Sequence, residues 1–370
     1  MLMWRGKIYS PNSAVECKVF EDGGLVVADG RVVELGEAQE MLDKYKCELK
    51  NFVGAMVPAF CDIHLHWVQN RVKGSFEGEL LPWLRDGVWP EEGKFEDSEY
   101  AREVLGEFWR EIEVAGTVAG GIYSSVHREA TEMALEQAGD HGCFVVGNVL
   151  MDQNSPEGLE MGFEDEMKMV EDFAKRYGRR YAVTPRFAPT CTMELMKGVG
   201  QIAAEHGLVV QSHLSENLDE IAWVKELFPG IETYTEVYAE AGLLNERSIM
   251  GHCIHLSEKE WEIFAASGAV VAHCPTSNKA LGSGRMPLEK LREYGIRFAL
   301  GTDIGAGPGL EMEDVMREFL AVHRESGVEV SFEEALYRAT LAGCEILGCA
   351  DKYGNFEAGK IAKFKIIDEK

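Results

Sequence analysis

The sequence predicts an α/β protein: a TIM (β/α)8 barrel with a small β-sandwich-like domain formed from both chain ends. From about residue 55, short apolar runs alternate with longer amphipathic ones, which is the pattern of βα units around a parallel sheet. Eight such runs lie within about 250 residues, the size of a typical TIM barrel. A doubly wound sheet is the structural alternative.

The apolar runs are the predicted barrel strands, and the amphipathic segments between them are predicted helices. The strands are Val57–His64, Thr117–Ser124, Cys143–Leu150, Tyr181–Phe187, Leu208–His213, Ser248–His252, Ala269–His273 and Arg297–Asp303. The helices include Tyr100–Val114, Met161–Tyr177, Ser215–Leu227, Glu258–Ala266 and Met312–His323.

Both chain ends have the pattern of strands rather than of βα units. Residues 24–36 hold two alternating apolar runs joined at Asp29-Gly30, a strong hairpin signal. The tail, residues 354–368, also has a strand-like pattern. We therefore predict a small β domain from residues 1–54 together with 350–370, and a barrel from residues 55–349.

Composition indicates a globular protein of the cytoplasm. The net charge is −26, from 63 acidic against 37 basic residues, which argues against a nucleic-acid partner. Nine cysteines without C-x-x-C spacing indicate reduced thiols. The first twelve residues lack the features of a secretory signal, and no apolar stretch reaches about 18 residues, so we expect no membrane partner.

Six polar residues lie at or just after the ends of predicted strands, where the active face of a barrel is built. They are His64, His66, His213, His252, His273 and Asp303. In an extended chain residues i and i+2 point to the same side, so two imidazoles of the H-x-H segment can face one ion. Two or three imidazoles with one carboxylate suit Zn²⁺ with an open position for water. Glu216, three residues after His213, is the candidate general base.

The other histidines fit metal motifs less well. There is no H-E-x-x-H, and His127-Arg128-Glu129 is not followed by P-C-x-x-C. We therefore predict that His127 lies in a loop or at a pocket rim. The remaining four, which are His141, His206, His255 and His323, are predicted to be surface or locally hydrogen-bonded residues.

Several motifs resemble those of the guanine deaminase family. Residues 58–66, PAFCDIHLH, resemble the first-strand signature of the amidohydrolase superfamily, and residues 273–278 with 301–303 are similar to its deaminase branch. Segments similar to guanine deaminases in particular are Gln69, residues 80–84 and 89–90, residues 183–187 and residues 211–217. The chain departs from that family in shorter terminal β segments, and Ala59 stands where a glycine is usual.

The resemblance implies the hydrolytic deamination of guanine to xanthine by a homodimer. It implies Zn²⁺, with Fe²⁺ as the alternative metal, bound by His64, His66, His213 and Asp303. Proton transfer falls to Glu216 and Asp303, with His252 beside the bound water. Residues 179–184 contain no lysine, which binuclear members use to bridge two metals, so we predict one ion per subunit.

Four residues are the predicted substrate contacts. Arg186 offers a planar fork of donors for a carbonyl and a ring nitrogen, although an ion-paired arginine is the alternative. Phe187 and Trp83 could stack on a purine or could be core aromatics. Gln69 could donate to and accept from an amide-like edge. The glycine-rich residues 305–309 lack a P-loop lysine and are predicted to form a tight turn.

Two other functions remain open at this stage. One is another deaminase or chlorohydrolase of the superfamily, acting on 8-oxoguanine, a thiolated adenosine, a pterin or a triazine. The other is a catalytically silent homologue that retains the metal and binds a ligand. The presence of both Glu216 and Asp303 favours an enzyme, because a binding protein has no use for a proton shuttle.

Overall fold

A computed structural model describes residues 1–75 and 79–368 of the 370-residue chain. Within those residues the chain forms two sheets. The smaller sheet contains β1 (Leu2–Pro11), β2 (Cys17–Ala28), β3 (Arg31–Glu37), β4 (Glu48–Pro58) and β13 (Phe364–Ile367). The larger contains β5 (Phe60–His66), β6 (Thr117–Ser124), β7 (Cys143–Leu150), β8 (Ala182–Pro185), β9 (Val209–Leu214), β10 (Ser248–His252), β11 (Val270–His273) and β12 (Phe298–Leu300).

Fifteen α-helices accompany these strands in the described residues. The early ones are α1 (Ala38–Lys44), α2 (Leu80–Trp83), α3 (Trp89–Glu92), α4 (Ser98–Ala115), α5 (Arg128–His141), α6 (Phe163–Tyr177), α7 (Met193–His206) and α8 (Leu218–Leu227). The later ones are α9 (Tyr234–Glu240), α10 (Glu258–Ser267), α11 (Pro275–Ala280), α12 (Leu288–Glu293), α13 (Met312–Glu325), α14 (Phe332–Ala339) and α15 (Leu341–Ile346). Short 3-10 turns lie at Trp67–Gln69, Gly93–Glu96, Gly178–Arg180 and Ala188–Thr190, and a π-helical turn lies at Leu84–Val88.

The larger sheet is the predicted barrel. Its eight strands are hydrogen-bonded in chain order from β5 to β12, and every paired neighbour is parallel. Between the first and last strands, the backbone N–H of Asp303 donates to the carbonyl of His64 at 2.8 Å. The carboxylate of Asp62 accepts hydrogen bonds from the backbone N–H and the hydroxyl of Thr302. These contacts close the barrel and bring the ends of β5 and β12 together.

The smaller sheet joins both ends of the chain, as predicted, and is a single five-stranded sheet in the order β13-β4-β1-β2-β3. The predicted hairpin connects β2 and β3, and both Asp29 (φ 50°) and Gly30 (φ 73°) adopt the left-handed conformation that a type I′ turn requires. Strand β4 runs to Pro58, whereas β5 begins at Phe60. The predicted strand Val57–His64 therefore spans the end of one sheet and the start of the other.

Helix starts follow local capping chemistry. The predicted helix from Ser215 begins instead at Leu218, because Asn217 and Glu220 form a reciprocal capping box at its N-terminus. Helices α9 and α10 have the same arrangement at Thr233–Glu236 and Ser257–Glu260. The main hydrophobic core lies between the barrel strands and these helices. Of the helices described, none is both long and apolar enough to cross a membrane.

Candidate active site

Five polar side chains converge at the carboxyl ends of the barrel strands. His64, His213, His252 and Asp303 each place one possible ligand atom within 4.8 Å of the others. His66 adjoins this group, since its Nε2 atom lies 3.2 Å from His213 Nε2 and 3.4 Å from Asp303 Oδ1. The predicted metal residues are thus brought together, and His252 lies as close to the cluster as they do.

The donor set fits a metal ion. Both ring nitrogens of His64 and Nδ1 of His66 are buried without a hydrogen-bond partner, a costly arrangement unless a ligand is shared. The backbone carbonyl of Arg186 accepts from His213 Nδ1 at 2.6 Å, so Nε2 of that ring faces the cluster with a lone pair. Imidazole nitrogens and carboxylate oxygens are ligand types that Zn²⁺ uses in catalytic sites.

Burial sets the charge of the cluster. It lowers the pKa of His64 and holds the pKa values of His66 and His213 well below the usual range, so these rings carry free lone pairs. Burial alone would raise the pKa of Asp303, but the neighbouring imidazoles, His64 first, hold it well below its usual range. The result is neutral imidazoles around an ionised carboxylate, the protonation state that metal binding requires.

Backbone strain is concentrated at this face of the barrel. Ser215, His252, Cys253 and Asp303 all adopt positive φ values, between 50° and 67°, although none is glycine. Such conformations cost about 1–3 kcal/mol each and persist where the surrounding structure determines them. At Asp303 the conformation is held by the Asp62 contacts to the preceding residue and by a 2.6 Å hydrogen bond from Ser277 to Oδ2.

Glu216 lies in the loop after β9 and is buried beside the metal cluster. Its Oε2 atom is 3.5 Å from His252 Nε2, and its Oε1 atom accepts a 2.8 Å hydrogen bond from the Ser283 hydroxyl. The backbone N–H of Glu216 donates to Glu220 at 2.9 Å, which anchors the loop. Burial raises the pKa of Glu216, and the neighbouring His252 opposes part of that shift. A carboxyl with a raised pKa beside this candidate metal-binding group is suited to accept and donate protons.

The orientation of His252 is also determined by a neighbour. Its Nδ1 atom lies 2.9 Å from Asn278 Oδ1, and because an amide oxygen only accepts, Nδ1 is the protonated nitrogen. Nε2 therefore faces Glu216 and Asp303. Burial opposes protonation of His252, but the charges of Glu216 and Asp303 outweigh it and raise its pKa.

A pocket of about 410 Å³, counting space open to solvent, opens onto this cluster. All four predicted substrate residues line it: Gln69, Trp83, Arg186 and Phe187. Apolar side chains from residues 80–84, with Leu281 and Ala306, form the rest of its wall. The indole N–H of Trp83 donates to the Ser75 carbonyl at 2.9 Å, so the ring is held at the pocket wall. This lining suits a small, flat, polar heterocycle.

Glu92 is a residue of this site that sequence reasoning missed. Its side chain is only 1% exposed, and it joins two of the pocket residues. Oε1 accepts a 2.9 Å hydrogen bond from Gln69 Nε2, and Oε2 forms a buried ion pair with Arg186. Arg186 is therefore ion-paired, which was the alternative interpretation, and it also lines the pocket, as predicted. The sequence motif nearest to Glu92 is Trp89-Pro90. No residue spacing relates Glu92 to Arg186, which lies 94 positions later.

Gly305 explains how Gln69 is accommodated. A Cβ at this position would lie 1.9 Å from Gln69 Oε1, and Gly305 has a φ of +116°. Only glycine satisfies both conditions. The tight turn predicted here is present, with Gly307 N–H donating to the Asp303 carbonyl at 2.6 Å.

The other histidines lie outside the cluster. His273 is the last residue of its strand, as predicted, but its Nε2 atom lies 3.0 Å from that of His323, and both rings are buried. His323 is therefore locally hydrogen-bonded rather than at the surface. His127 lies at the start of α5 outside the pocket lining, and His255 Nε2 donates to the Ser283 carbonyl at 2.8 Å.

This chain is similar in sequence to known proteins over most of its length. The model of the amidohydrolase family matches residues 55–370. Guanine deaminase of Escherichia coli K12 is 35% identical over 360 residues, which cover 95% of this chain and 82% of that protein. Guanine deaminase of Dictyostelium discoideum is 37% identical, covering 85% of this chain and 73% of that protein.

The fold of this chain is also similar to those of solved structures. That of E. coli guanine deaminase superposes with a TM-score of 0.90 at 34% identity, covering 99% of this chain and 88% of the other. A guanine deaminase from C. acetobutylicum with bound guanine has a TM-score of 0.87 at 32% identity, covering 97% and 88%. The barrel, the cluster and these matches lead to one conclusion: the chain belongs to the amidohydrolase family and, within it, to the guanine deaminases.

Proposed function

We propose that this protein hydrolyses guanine to xanthine and ammonia, using one Zn²⁺ per subunit. The pocket is the observation that supports the proposal most. Gln69, Arg186 and Glu216 line it beside the candidate metal-binding residues, and Glu92 joins Gln69 to Arg186. The guanine deaminases that the chain resembles support the choice of substrate.

We assign the metal to His64, His66, His213 and Asp303. His252 is given a different role because its Nε2 atom faces the carboxylate of Glu216, where it can hydrogen-bond the attacking water. A bound Zn²⁺ would supply Lewis acidity and lower the pKa of that water towards 7.

The chain's own residues then move the protons. Glu216 accepts a proton from the water as its oxygen attacks C2 of guanine, and passes that proton to the ring nitrogen. Asp303 accepts the second proton of the water, and this proton is then delivered to the amino group, which leaves C2 as ammonia while the C2 carbonyl forms. Ser283 keeps Glu216 in place by its hydrogen bond to Oε1. Phe187 and Trp83 would contact the purine faces.

Substrate recognition would come from the group around Glu92. An ionised carboxylate only accepts hydrogen bonds, so the Gln69 atom that faces Glu92 is the NH2 group. Its Oε1 atom is thereby left to accept from a ring N–H. One N–H of Arg186 donates to Glu92, and other N–H groups of the guanidinium remain to donate to a carbonyl oxygen or ring nitrogen. A lactam edge with neighbouring N–H and C=O groups matches this arrangement.

The test is loss of guanine absorbance with matching xanthine and ammonia formation, for wild type and Glu216→Gln. We expect turnover by wild type and a fall in kcat of about 10²- to 10⁴-fold in the variant, with its metal content unchanged. Parallel assays use 8-oxoguanine, a thiolated adenosine, a pterin and a triazine. A folded, zinc-loaded wild type that leaves guanine intact would overturn the assignment, and turnover of another substrate would replace it.

We also propose a homodimer, on the basis of family membership, and a location in the cytoplasm, on the basis of the unpatterned cysteines. Sedimentation equilibrium of the purified protein tests the assembly, and a monomer at micromolar concentration would contradict it.

A further inference from the structure

A second cleft lies at the amino ends of the barrel strands, on the face opposite the active site. It encloses about 2040 Å³, counting space open to solvent, and its wall is rich in arginine. Arg247 and Arg297 immediately precede β10 and β12, and Arg180 precedes β8 by two residues. Because the amino ends of parallel strands gather at one face of a barrel, residues far apart in sequence reach the same cleft.

The positive charges of this cleft are not neutralised by carboxylates. Five arginines and two lysines line it, which are Arg31, Arg179, Arg180, Arg247, Arg297, Lys352 and Lys363. Over the described part of the chain, none of the seven forms an ion pair within 4.0 Å. The guanidinium groups of Arg31 and Arg297 donate only to backbone carbonyls, those of Gly359, Glu246 and Gly268.

This arrangement is unexpected in a chain with a net charge of −26. Elsewhere on the surface, basic side chains pair repeatedly with the abundant carboxylates, as Arg176 does with Glu132 and Lys259 with Glu236. Among the residues that the structure describes, three carboxylates line the cleft beside the seven cations, those of Asp140, Glu246 and Glu345. A concave wall with an excess of positive charge concentrates the field and attracts anions.

We propose that this cleft binds a small, multiply charged phosphate compound. Guanidinium groups present donors in a fork that matches phosphate oxygens, and five arginines line this cleft. The ligand should be compact, because the strongly acidic remainder of the surface would repel a long polyanion such as a nucleic acid. The half-buried ring of Tyr353 in the same wall offers a surface on which a base of a nucleotide could stack.

A purely structural explanation makes a different prediction. In a barrel the helices end at this face, and cations near a helix carboxyl end interact favourably with its dipole. Arg179 and Arg180 follow the end of α6 at Tyr177 and fit that role. If compensation of helix ends were their whole purpose, they would bind no ligand with measurable affinity.

Titration calorimetry of the purified, metal-loaded protein with inorganic tripolyphosphate separates the two explanations. We expect one site per chain, an affinity that weakens about tenfold or more between 50 and 200 mM NaCl, and much weaker binding of sulfate. ATP is titrated in parallel: tighter binding than tripolyphosphate identifies a nucleotide site, and equal binding identifies a site for the phosphate chain alone. No saturable binding of either compound at 50 mM NaCl overturns the proposal.

A matched pair of double variants tests the location. Arg179→Gln/Arg180→Gln removes two cleft charges, whereas Lys168→Gln/Lys197→Gln removes two exposed, unpaired charges outside the cleft. We expect the first to weaken tripolyphosphate binding about tenfold and the second less than about twofold. Equal effects would mean that only overall charge matters and would overturn the site. Guanine turnover should be unchanged in both, so this result is independent of the proposed function.

Discussion

Replacing Glu92 by glutamine tests whether the carboxylate beneath the pocket positions the substrate-binding groups. In the wild type its two oxygens accept from Gln69 and from Arg186, and both Glu92 and Arg186 are at least 97% buried. An amide keeps the shape of the side chain but replaces one acceptor by an NH2 donor. One of the two partners must then face a donor and turn away, and the buried Arg186 charge loses its counter-charge.

The size of the effect follows from these two losses. Removing one partner of a buried ion pair costs about 3–5 kcal/mol, part of which appears as lower stability. Displacing a substrate-binding group by about 1 Å costs about 10²-fold in rate, or about 2.7 kcal/mol at 1.36 kcal/mol per decade. We therefore expect kcat/KM for guanine to fall about 10²-fold in Glu92→Gln, mainly through KM.

The assay measures kcat and KM for guanine, metal content, and the free energy of unfolding in urea. Glu91→Gln is the matched control, because Glu91 lies in the same helix, is also buried, and binds Lys94 and Tyr100 instead of the pocket. We expect it to change kcat/KM by less than about threefold. Glu92→Asp, which retains the charge, should recover part of the loss. Equal kinetics for folded, metallated Glu92→Gln and Glu91→Gln would refute the reasoning.

Two further predictions concern other positions. Gly305→Ala should lower kcat/KM for guanine at least about tenfold, because the added Cβ would displace Gln69 Oε1. Gly282 also has a positive φ but faces open space, so Gly282→Ala should leave kcat/KM unchanged. Equal losses in the two variants would point to backbone strain instead. Burial raises the pKa of Glu166 from an ordinary value of 4.5 to about 8, so the folded state holds a proton that the unfolded state releases, and stability should fall as pH rises from about 4.5 through 8. In Glu166→Gln this fall should shrink by about 2–4 kcal/mol between pH 5 and 9, measured by urea unfolding; an unchanged slope would contradict the buried, protonated carboxyl.

Much of the metal site could be predicted from local sequence. His64 and His66 share one side of an extended strand, and His213 and Asp303 lie where apolar strands end, so the fold type and residue spacing together bring them to one face. The barrel follows from the same periodicity. Boundaries were less predictable: the apolar run of residues 52–61 continues from β4 into β5, and only the assignment of Pro58 and Phe60 to different sheets separates the two strands. The division at residues 54 and 349 stays a prediction.

Sequence alone thus determined the chemistry of the candidate ligands, because the identity and spacing of histidines and carboxylates at strand ends are local properties. Only the tertiary structure decided how their neighbours act. Glu92 meets Arg186 across 94 residues and Ser283 meets Glu216 across 67, and no periodicity encodes such pairs. The same holds for His323, which pairs with His273 across 50 residues, and for the basic cleft. These contacts depend on which loops pack together once the barrel closes, and that is decided by the summed packing of the whole chain.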